Sequence, residues 1–215
     1  AYKNTFGEHD MILGRSGTAM TFDAARGVTM MFGGRRSWDP TTGTNATLTW
    51  DGQTWTEQSP AGDLPARRFD HAMAYDAKRG VTVLFGGKCF PPGVEDIYDL
   101  PPDCGDTWEW DGESWTERHF EGPTPSARHG SEMVYDSDRG VIVMFGGFSQ
   151  LDWTPKNDLW EYDGTSWLKR GGEPAALCEQ TGGEWCNPSY GAGCASSSSP
   201  CGPVTCNYVE GTEVF

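Results

Sequence analysis

The sequence predicts an all-β fold made of repeated four-stranded antiparallel sheets. Its 215 residues include 29 glycines and 14 prolines, which favour many turns and short strands over long helices. No window shows sustained helical periodicity of its apolar residues. Most directly, a segment that ends in a glycine pair occurs three times along the chain. Ten tryptophans can supply much of the core volume from few positions.

The repeated segment is FDAARGVTMMFGG at 22–34, YDAKRGVTVLFGG at 75–87 and YDSDRGVIVMFGG at 135–147. An arginine precedes each copy at a fixed distance: Arg15, Arg68 and Arg128. A second motif follows each copy: WDGQTW at 50–55, WDGESW at 110–115 and YDGTSW at 162–167. Corresponding positions recur after 53 and then 60 residues, and the length differences fall between the motifs. Constant cores with variable connectors indicate a repeat architecture.

Each repeat predicts four strands in a meander. The first two strands flank the Asp-x-x-Arg-Gly turn: in the second repeat, residues 76–80 separate the β-prone runs HAMAY and VTVLF. The last two strands flank Asp111-Gly112, a second tight hairpin turn. Because one such sheet cannot bury both of its faces alone, neighbouring sheets must stack face to face, as the blades of a β-propeller do.

The pattern Arg…YDxxRGVxVxFGG…WxWDGxxW resembles the kelch motif, in the form often seen in bacterial extracellular proteins. The resemblance implies one propeller blade per repeat, with function carried by the loops between strands. We therefore expect blades at about 15–55, 68–115 and 128–167, and the last strand of a preceding blade in 1–14. Propellers typically use ~4–8 blades. We expect three blades to be part of a longer propeller, or to complete a ring with another chain.

Charge and hydropathy exclude two classes of partner. The formal net charge is −15 and the sequence pI is about 4.5, so the surface would repel nucleic acid and anionic membranes. No apolar run approaches the length that spans a membrane, so we expect no membrane insertion.

Seven cysteines indicate an oxidising compartment, and therefore a secreted or cell-surface location. Cys89 and Cys104 stand at the two ends of the longest insertion, and we predict that a disulfide joins them.

The segment 171–215 is predicted to be a tail held by disulfides, with five cysteines: Cys178, Cys186, Cys194, Cys201 and Cys206. Five is odd, so at least one has a partner elsewhere or remains free. Zinc is the weaker alternative, because the tail has no CxxC pair and no histidine. Asn45 begins a glycosylation sequon, which matters only in a eukaryotic secretory pathway.

The candidate binding residues lie in the long connections that follow the glycine pair, because function on such scaffolds usually sits on long loops. They are Arg35, Arg36, Trp38 and Asp39 in 35–47; Phe90, Asp96 and Tyr98 in 88–105; and Phe148, Trp153 and Lys156 in 148–157. Exposed aromatic rings beside charges could anchor a protein partner or stack on sugar rings. The alternative is that these rings pack the loops against their own blades.

Other site types are disfavoured by the pattern. The glycine pairs lead into polar loops with no helix, whereas a phosphate-binding loop needs a strand-to-helix junction. The aspartates and arginines of the repeated turn recur in every blade, so turn hydrogen bonds and ion pairs are their expected roles.

Galactose oxidase is a copper enzyme on a kelch propeller, but its Tyr/His ligand set has no assignable match here. We predict no catalytic residue, no metal ligand and no cofactor. Calcium is the ion that the acidic stretch 94–99 would take, although its ligand spacing is not ordered.

Three functional hypotheses follow. The first is an extracellular binding or assembly module that interacts with a protein partner or joins a larger assembly. The second is a glycan-binding module that uses the loop aromatics. The third is part of a secreted oxidase, similar to galactose oxidase, or of a hydrolase, with its active residues outside these blades.

Overall fold

The computed structural model describes residues 14–36, 39–90 and 101–171, with the backbone alone at 36 and 39–42. Every regular element in these ranges is a β-strand, which confirms the predicted all-β class. None of this part of the chain forms a helix with the length and apolar character needed to cross a membrane. The predicted strand in 1–14 falls outside the described residues except for its last position, and the predicted cysteine-rich tail falls outside them from residue 172 onward.

Three four-stranded sheets correspond to the three repeats and are called blades 1, 2 and 3. The strands of blade 1 are Ala19–Asp23, Val28–Phe32, Thr47–Trp50 and Trp55–Gln58. The strands of blade 2 are Ala72–Asp76, Val81–Phe85, Thr107–Trp110 and Trp115–Arg118. The strands of blade 3 are Glu132–Asp136, Val141–Phe145, Leu159–Tyr162 and Trp167–Gly171.

Each blade is an antiparallel meander in which every strand pairs with the next one along the chain. In blade 2, Asp76 pairs with Val81, so the turn between them holds the Asp-x-x-Arg-Gly sequence. The Asp76 carboxylate accepts hydrogen bonds from the Arg79 backbone N–H (3.1 Å) and from Arg79 Nε (2.6 Å). Gly80 adopts a φ of 70°, where glycine avoids the strain that a side chain would bring. The repeated aspartate and arginine therefore build the turn.

Short paired strands also form outside the blades, in the segments that precede a repeat or follow its glycine pair. They are Arg15–Ser16 with Arg35–Arg36 and Asp39–Gly43; Arg67–Phe69 with Lys88–Phe90; and Phe148–Ser149 with Thr154–Pro155. Because the tight turns of every meander lie at one end of the blades, these strands lie at the opposite end. We call that end the long-loop rim.

The blades stack with their first strands side by side. Alternation along the strand divides each blade into a leading face, which packs on the preceding blade, and a trailing face, which packs on the next. Between blades 1 and 2, the trailing Met30 and Phe32 meet the leading Leu84 and Trp108 in one buried cluster. Between blades 2 and 3, the trailing residues meet leading residues in a second cluster of Ala74, Val83, Phe85, Ile142, Met144, Trp160, Tyr162 and Trp167.

Two hydrogen bonds recur where neighbouring blades meet. The indole Nε1 of Trp115 donates to Thr47 Oγ1 of blade 1 at 2.9 Å, and that of Trp167 donates to Thr107 Oγ1 of blade 2 at 3.0 Å. Likewise, Tyr75 OH accepts from the backbone of the blade 1 turn at 3.2 Å, and Tyr135 OH from the blade 2 turn at 3.3 Å. The three described sheets do not close into a ring.

The arginines before the second and third repeats support the glycine pairs from inside the fold. Arg68 is fully buried, donates to Gly86 O at 3.0 Å and forms two hydrogen bonds with the Asp106 carboxylate, at 2.7 and 2.6 Å. Burial raises the pKa of Asp106, but the hydrogen bonds and charge of Arg68 outweigh it, so that pKa lies below its ordinary value. Arg128 and Asp158 repeat this ion pair in blade 3.

Candidate binding site

The disulfide between Cys89 and Cys104 lies on the long-loop rim of blade 2. Its two Cα atoms are 5.9 Å apart, and it closes the insertion at its base, as the sequence predicted. Lys88 and Asp103, one residue from each cysteine, form an ion pair with 2.9 Å between Lys88 Nζ and Asp103 Oδ1. Their side chains are only 5% and 4% exposed, so the charged pair is almost fully desolvated.

Two residues of blade 3 complete this polar cluster. Asp103 Oδ2 accepts a hydrogen bond from the Gln150 backbone N–H at 2.6 Å, and Lys88 Nζ donates to Gln150 Oε1 at 2.6 Å. His129 Nδ1 lies 2.7 Å from Asp103 Oδ1. Burial raises the pKa of Asp103, but the Gln150 N–H, Lys88 and His129 together hold it below the ordinary aspartate value. The cluster therefore fixes the rim of blade 3 onto the disulfide of blade 2.

The corresponding junction between blades 1 and 2 has different chemistry. The Arg35 guanidinium lies 4.5 Å from the centre of the Phe69 ring, and Phe69 packs against Phe90 at 5.9 Å between ring centres. A Cβ at Gly43 would lie 2.3 Å from the Phe90 ring, so the absence of a side chain makes room for that ring. On the long-loop rim, this junction therefore has aromatic and cation–π contacts, whereas the junction of blades 2 and 3 has charges and hydrogen bonds.

Residues 148–156 form a hairpin that we call the tip hairpin. Phe148 at its base contacts the His129 ring at 5.7 Å and the Trp153 ring at 6.3 Å between centres. At its end, Leu151 is 89% exposed and Trp153 is 67% exposed. Trp153 also has a φ of 55°, which is rare for a bulky residue and is adopted here in the turn of the hairpin. Lys156 pairs with Asp152 across the hairpin. Two large apolar side chains thus project from a firmly attached base.

The structure brings together some of the sequence-predicted binding residues and separates others. Phe148, Trp153 and Lys156 all belong to the tip hairpin. Phe90 is buried and packs against Phe69, and the Arg35 guanidinium lies over that same Phe69 ring. Arg36 and Asp39 lie in paired rim strands, where only their backbone is described. Trp38, Asp96 and Tyr98, and with them the calcium prediction at 94–99, fall outside the described residues, as do the five tail cysteines.

Sequence reasoning did not identify the polar cluster. Asp103 and Lys88 could have been noticed because each adjoins a cysteine of the predicted disulfide, which places them side by side. His129 and Gln150 carried no such signal, since they join the cluster only when blade 3 stacks on blade 2.

A metal site was tested against the described residues. One group of potential ligands there, Cys89, Cys104 and Asp106, has its ligand atoms within 4.8 Å of one another. Both sulfurs are bonded to each other, and a disulfide cannot supply the thiolate that a metal requires. The group therefore does not fit a metal ion while the disulfide is intact.

A cleft of about 360 Å³ opens where the three first strands begin, lined by His71, Asp70 and Glu132 among others. His71 is 6% exposed, and neither of its buried ring nitrogens has a hydrogen-bond partner among the described residues. Burial, aided by the charge of Arg68, lowers its pKa to about 3, so the ring is neutral. It packs edge-on against Phe32 at 5.5 Å. His71 therefore packs at the junction between blades 1 and 2, at the inner wall of this cleft.

Comparison with known proteins identifies the family of these repeats. Residues 17–168 match the model of the KLHDC2/KLHL20/DRC7 Kelch-repeats domain. The chain is 30% identical over 132 residues to Dynein regulatory complex subunit 7 of Chlamydomonas reinhardtii, a match that covers 60% of this chain and 10% of that protein. The structure of YjhT is similar with a TM-score of 0.57 and 14% identity, covering 74% of this chain and 46% of that one. At this identity the likeness shows the fold alone.

Proposed function

Because this chain belongs to the kelch-repeat family, we propose that it is a protein-binding module that contacts its partner through the tip hairpin. Kelch repeats as a class suggest protein–protein interaction. The curated relative is by its name a subunit of a complex, although this chain spans only a tenth of it. The observation that carries the proposal is the outward display of Leu151 and Trp153 at the end of the tip hairpin.

The chemistry of the tip hairpin suits a protein interface. Tryptophan is enriched among the few residues that carry most of the energy of such interfaces, and Leu151 adds an aliphatic contact beside it. The Asp152–Lys156 ion pair adds charged groups next to these apolar side chains, and protein interfaces likewise combine an apolar centre with polar groups. The polar cluster anchors the base, so little conformational entropy is lost when a partner binds.

A pair of variants tests the proposal. Proteins captured from the source cell by the intact chain would be identified by mass spectrometry, and the affinity of a purified candidate measured by calorimetry. Leu151→Ser with Trp153→Ser should weaken binding at least ~30-fold, because a central tryptophan typically contributes about 2 kcal/mol or more. Leu64, 37% exposed and far from the hairpin in sequence, provides the matched control as Leu64→Ser. Equal affinity of the two variants would refute the role of the tip hairpin.

Glycan binding is the second candidate, and the exposed Trp153 ring favours it because sugar rings stack on indole faces. A glycan array probed with the intact chain and with Trp153→Ala distinguishes the two ligand classes.

The proposal that the protein acts outside the cell is supported by the Cys89–Cys104 disulfide, since such bonds persist mainly in oxidising compartments. The enzymatic hypothesis finds no support in the described residues, and metal analysis of the purified protein would test it.

A further inference from the structure

Blade 2 departs from the other two blades at two consecutive positions just before its first strand. Blades 1 and 3 have Gly17-Thr18 and Gly130-Ser131 there, whereas blade 2 has Asp70-His71. All six residues line the cleft of about 360 Å³ that opens where the three first strands begin. A cavity of this size lies within the range that small-molecule sites occupy. Blade 2 therefore brings a carboxylate and an imidazole to a cleft at which the equivalent residues of the other blades carry neither.

The Asp70 backbone keeps the conformation for which the other blades use glycine. Its φ is 54°, compared with 67° at Gly17 and 66° at Gly130. Aspartate adopts this left-handed conformation more readily than most residues do, but glycine adopts it without a steric cost. The backbone geometry of this position is therefore satisfied better by glycine, and the aspartate needs another explanation.

The ring nitrogens of His71 are the observation that points to a ligand. In blade 3 the equivalent Ser131 donates from Oγ to Gly146 O at 3.1 Å, whereas both buried nitrogens of His71 lack a partner among the described residues. Buried polar atoms in proteins nearly always have a partner, because an unpaired one lowers stability. The edge-on contact with Phe32 requires the shape of the ring but not its nitrogens. The neutral imidazole thus keeps one acceptor and one donor for a molecule in the cleft.

The lining of the cleft fits an organic cation. It includes the carboxylates of Asp70 and Glu132, and the described residues that form it contain no lysine or arginine. Three methionines at equivalent positions of the three blades also line it, and their flexible thioether side chains adapt to apolar groups of irregular shape: Met20, Met73 and Met133. An ammonium or guanidinium group would pair with the carboxylates and donate to the neutral imidazole. The ligand atoms of Asp70, His71 and Glu132 do not all lie within 4.8 Å of one another, so the three do not form a metal site.

We propose that this cleft binds a small organic amine, and that Asp70 and His71 are the residues that make blade 2 recognise it. The Asp70 and Glu132 carboxylates receive the ammonium or guanidinium group, and the methionines contact the hydrocarbon part. His71 accepts one N–H of the ligand after its ring rotates toward the cleft, since both nitrogens are shielded from solvent in the structure. The site shares no residue with the tip hairpin, so it is independent of the proposed protein partner.

The repeats themselves provide a variant that removes the site and keeps the fold. Asp70→Gly combined with His71→Ser gives blade 2 the residues of blade 3, and the serine can donate to Gly86 O as Ser131 does to Gly146 O. Calorimetric titration would use diaminobutane and agmatine as probes, with butanediol and succinate as their neutral and anionic counterparts. We expect the wild type to bind at least one of the two amines at least ~10-fold more tightly than either counterpart. The double variant should lose at least ~10-fold of that affinity, with a melting temperature equal to or above that of the wild type.

Further measurements separate ligand binding from a purely structural role of His71. The NMR resonances of its ring nitrogens should shift when the amine is added, because one nitrogen gains a hydrogen bond. His71→Phe keeps a ring against Phe32 but no nitrogens, so it should fold and lose affinity for the amine. Glu113→Gln, in the tight turn at the opposite end of blade 2, is the charge control and should bind the amine as the wild type does. The proposal is overturned if neither amine binds in preference to its counterparts, if the double variant binds unchanged, or if Glu113→Gln weakens binding equally.

Discussion

Blade 2 and blade 3 have almost the same sequence pattern and strand arrangement, yet their surroundings differ. Blade 2 is covered on both faces, and all five residues of its first strand are buried. Blade 3 is covered on its leading face alone by the described residues, and its first strand has only exposed and half-buried positions. The repeated motif therefore determines the sheet and its turns, whereas the neighbouring blade determines whether a motif position becomes core.

The largest expected difference concerns one phenylalanine position. Phe85→Ala should lower the free energy of unfolding by about 3–5 kcal/mol, since it removes a fully buried ring and leaves a cavity. Phe145→Ala at the equivalent, 53% exposed position should cost less than ~1 kcal/mol. Urea denaturation of both variants measures the difference. Equal losses of stability would contradict this difference between the two blades, because they would mean that Phe145 is covered in solution.

Removing either buried ion pair should have the same effect on the free energy of unfolding in the two blades, in contrast to the phenylalanine position. Asp106→Asn leaves the buried Arg68 without its carboxylate, and Asp158→Asn does the same to Arg128. Each should lower the free energy of unfolding by about 3 kcal/mol. Because both pairs lie within their own blade, the open face of blade 3 should not matter. Asp63→Asn on the exposed connection between blades 1 and 2 is the control, and a loss there as large would indicate a nonspecific charge effect.

The fold could be predicted from the sequence because its information is local and repeated. Asp76, Arg79 and Gly80 specify a turn by themselves, and three copies of that turn establish the period. The Cys89–Cys104 disulfide was predictable for a similar reason, since the two cysteines stand at the ends of one insertion. Each of these features depends on residues that lie close together in the chain.

The binding site was only partly predictable because its contacts join distant connectors. Lys88 and Gln150 are 62 positions apart, and no pattern in either connector refers to the other. The sequence also does not distinguish an aromatic residue that continues a paired rim strand from one that projects. Phe90 pairs with Arg67 and is buried, whereas Trp153 lies in the turn of the tip hairpin and is exposed. The burial of Phe90 depends on a distant residue, Gly43 in the connector of the preceding blade, whose missing side chain leaves room for the ring.

A smaller effect is expected from the hydrogen bond that blade 3 donates to blade 2. Thr107→Val keeps the shape of the side chain but removes the acceptor for the Trp167 indole, leaving a buried N–H unpaired. The free energy of unfolding should fall by about 1–2 kcal/mol. Leu159→Thr, at the equivalent position of blade 3, should change it by less than ~1 kcal/mol in the single chain. Urea denaturation compares them, and a larger loss from Leu159→Thr would contradict the assignment of that face as uncovered.

The smallest effect separates two aspartates with lowered pKa values. In blade 2, Asp103 owes its low pKa to groups of both blades, whereas the exposed Asp152 of blade 3 reaches about 2 through Lys156 and Thr154 of its own hairpin. A folded-state pKa below the unfolded value of about 3.9 adds stability that is complete above that pH and is lost as the pH falls through the folded value. The stability difference between the wild type and Asp103→Asn should therefore shrink as the pH falls below about 3.9. Asp152→Asn should leave global unfolding nearly unchanged, because its partners fix only the exposed hairpin. Denaturation at a series of pH values would contradict this if the Asp103 difference persisted to pH ~2, or if the two variants behaved alike.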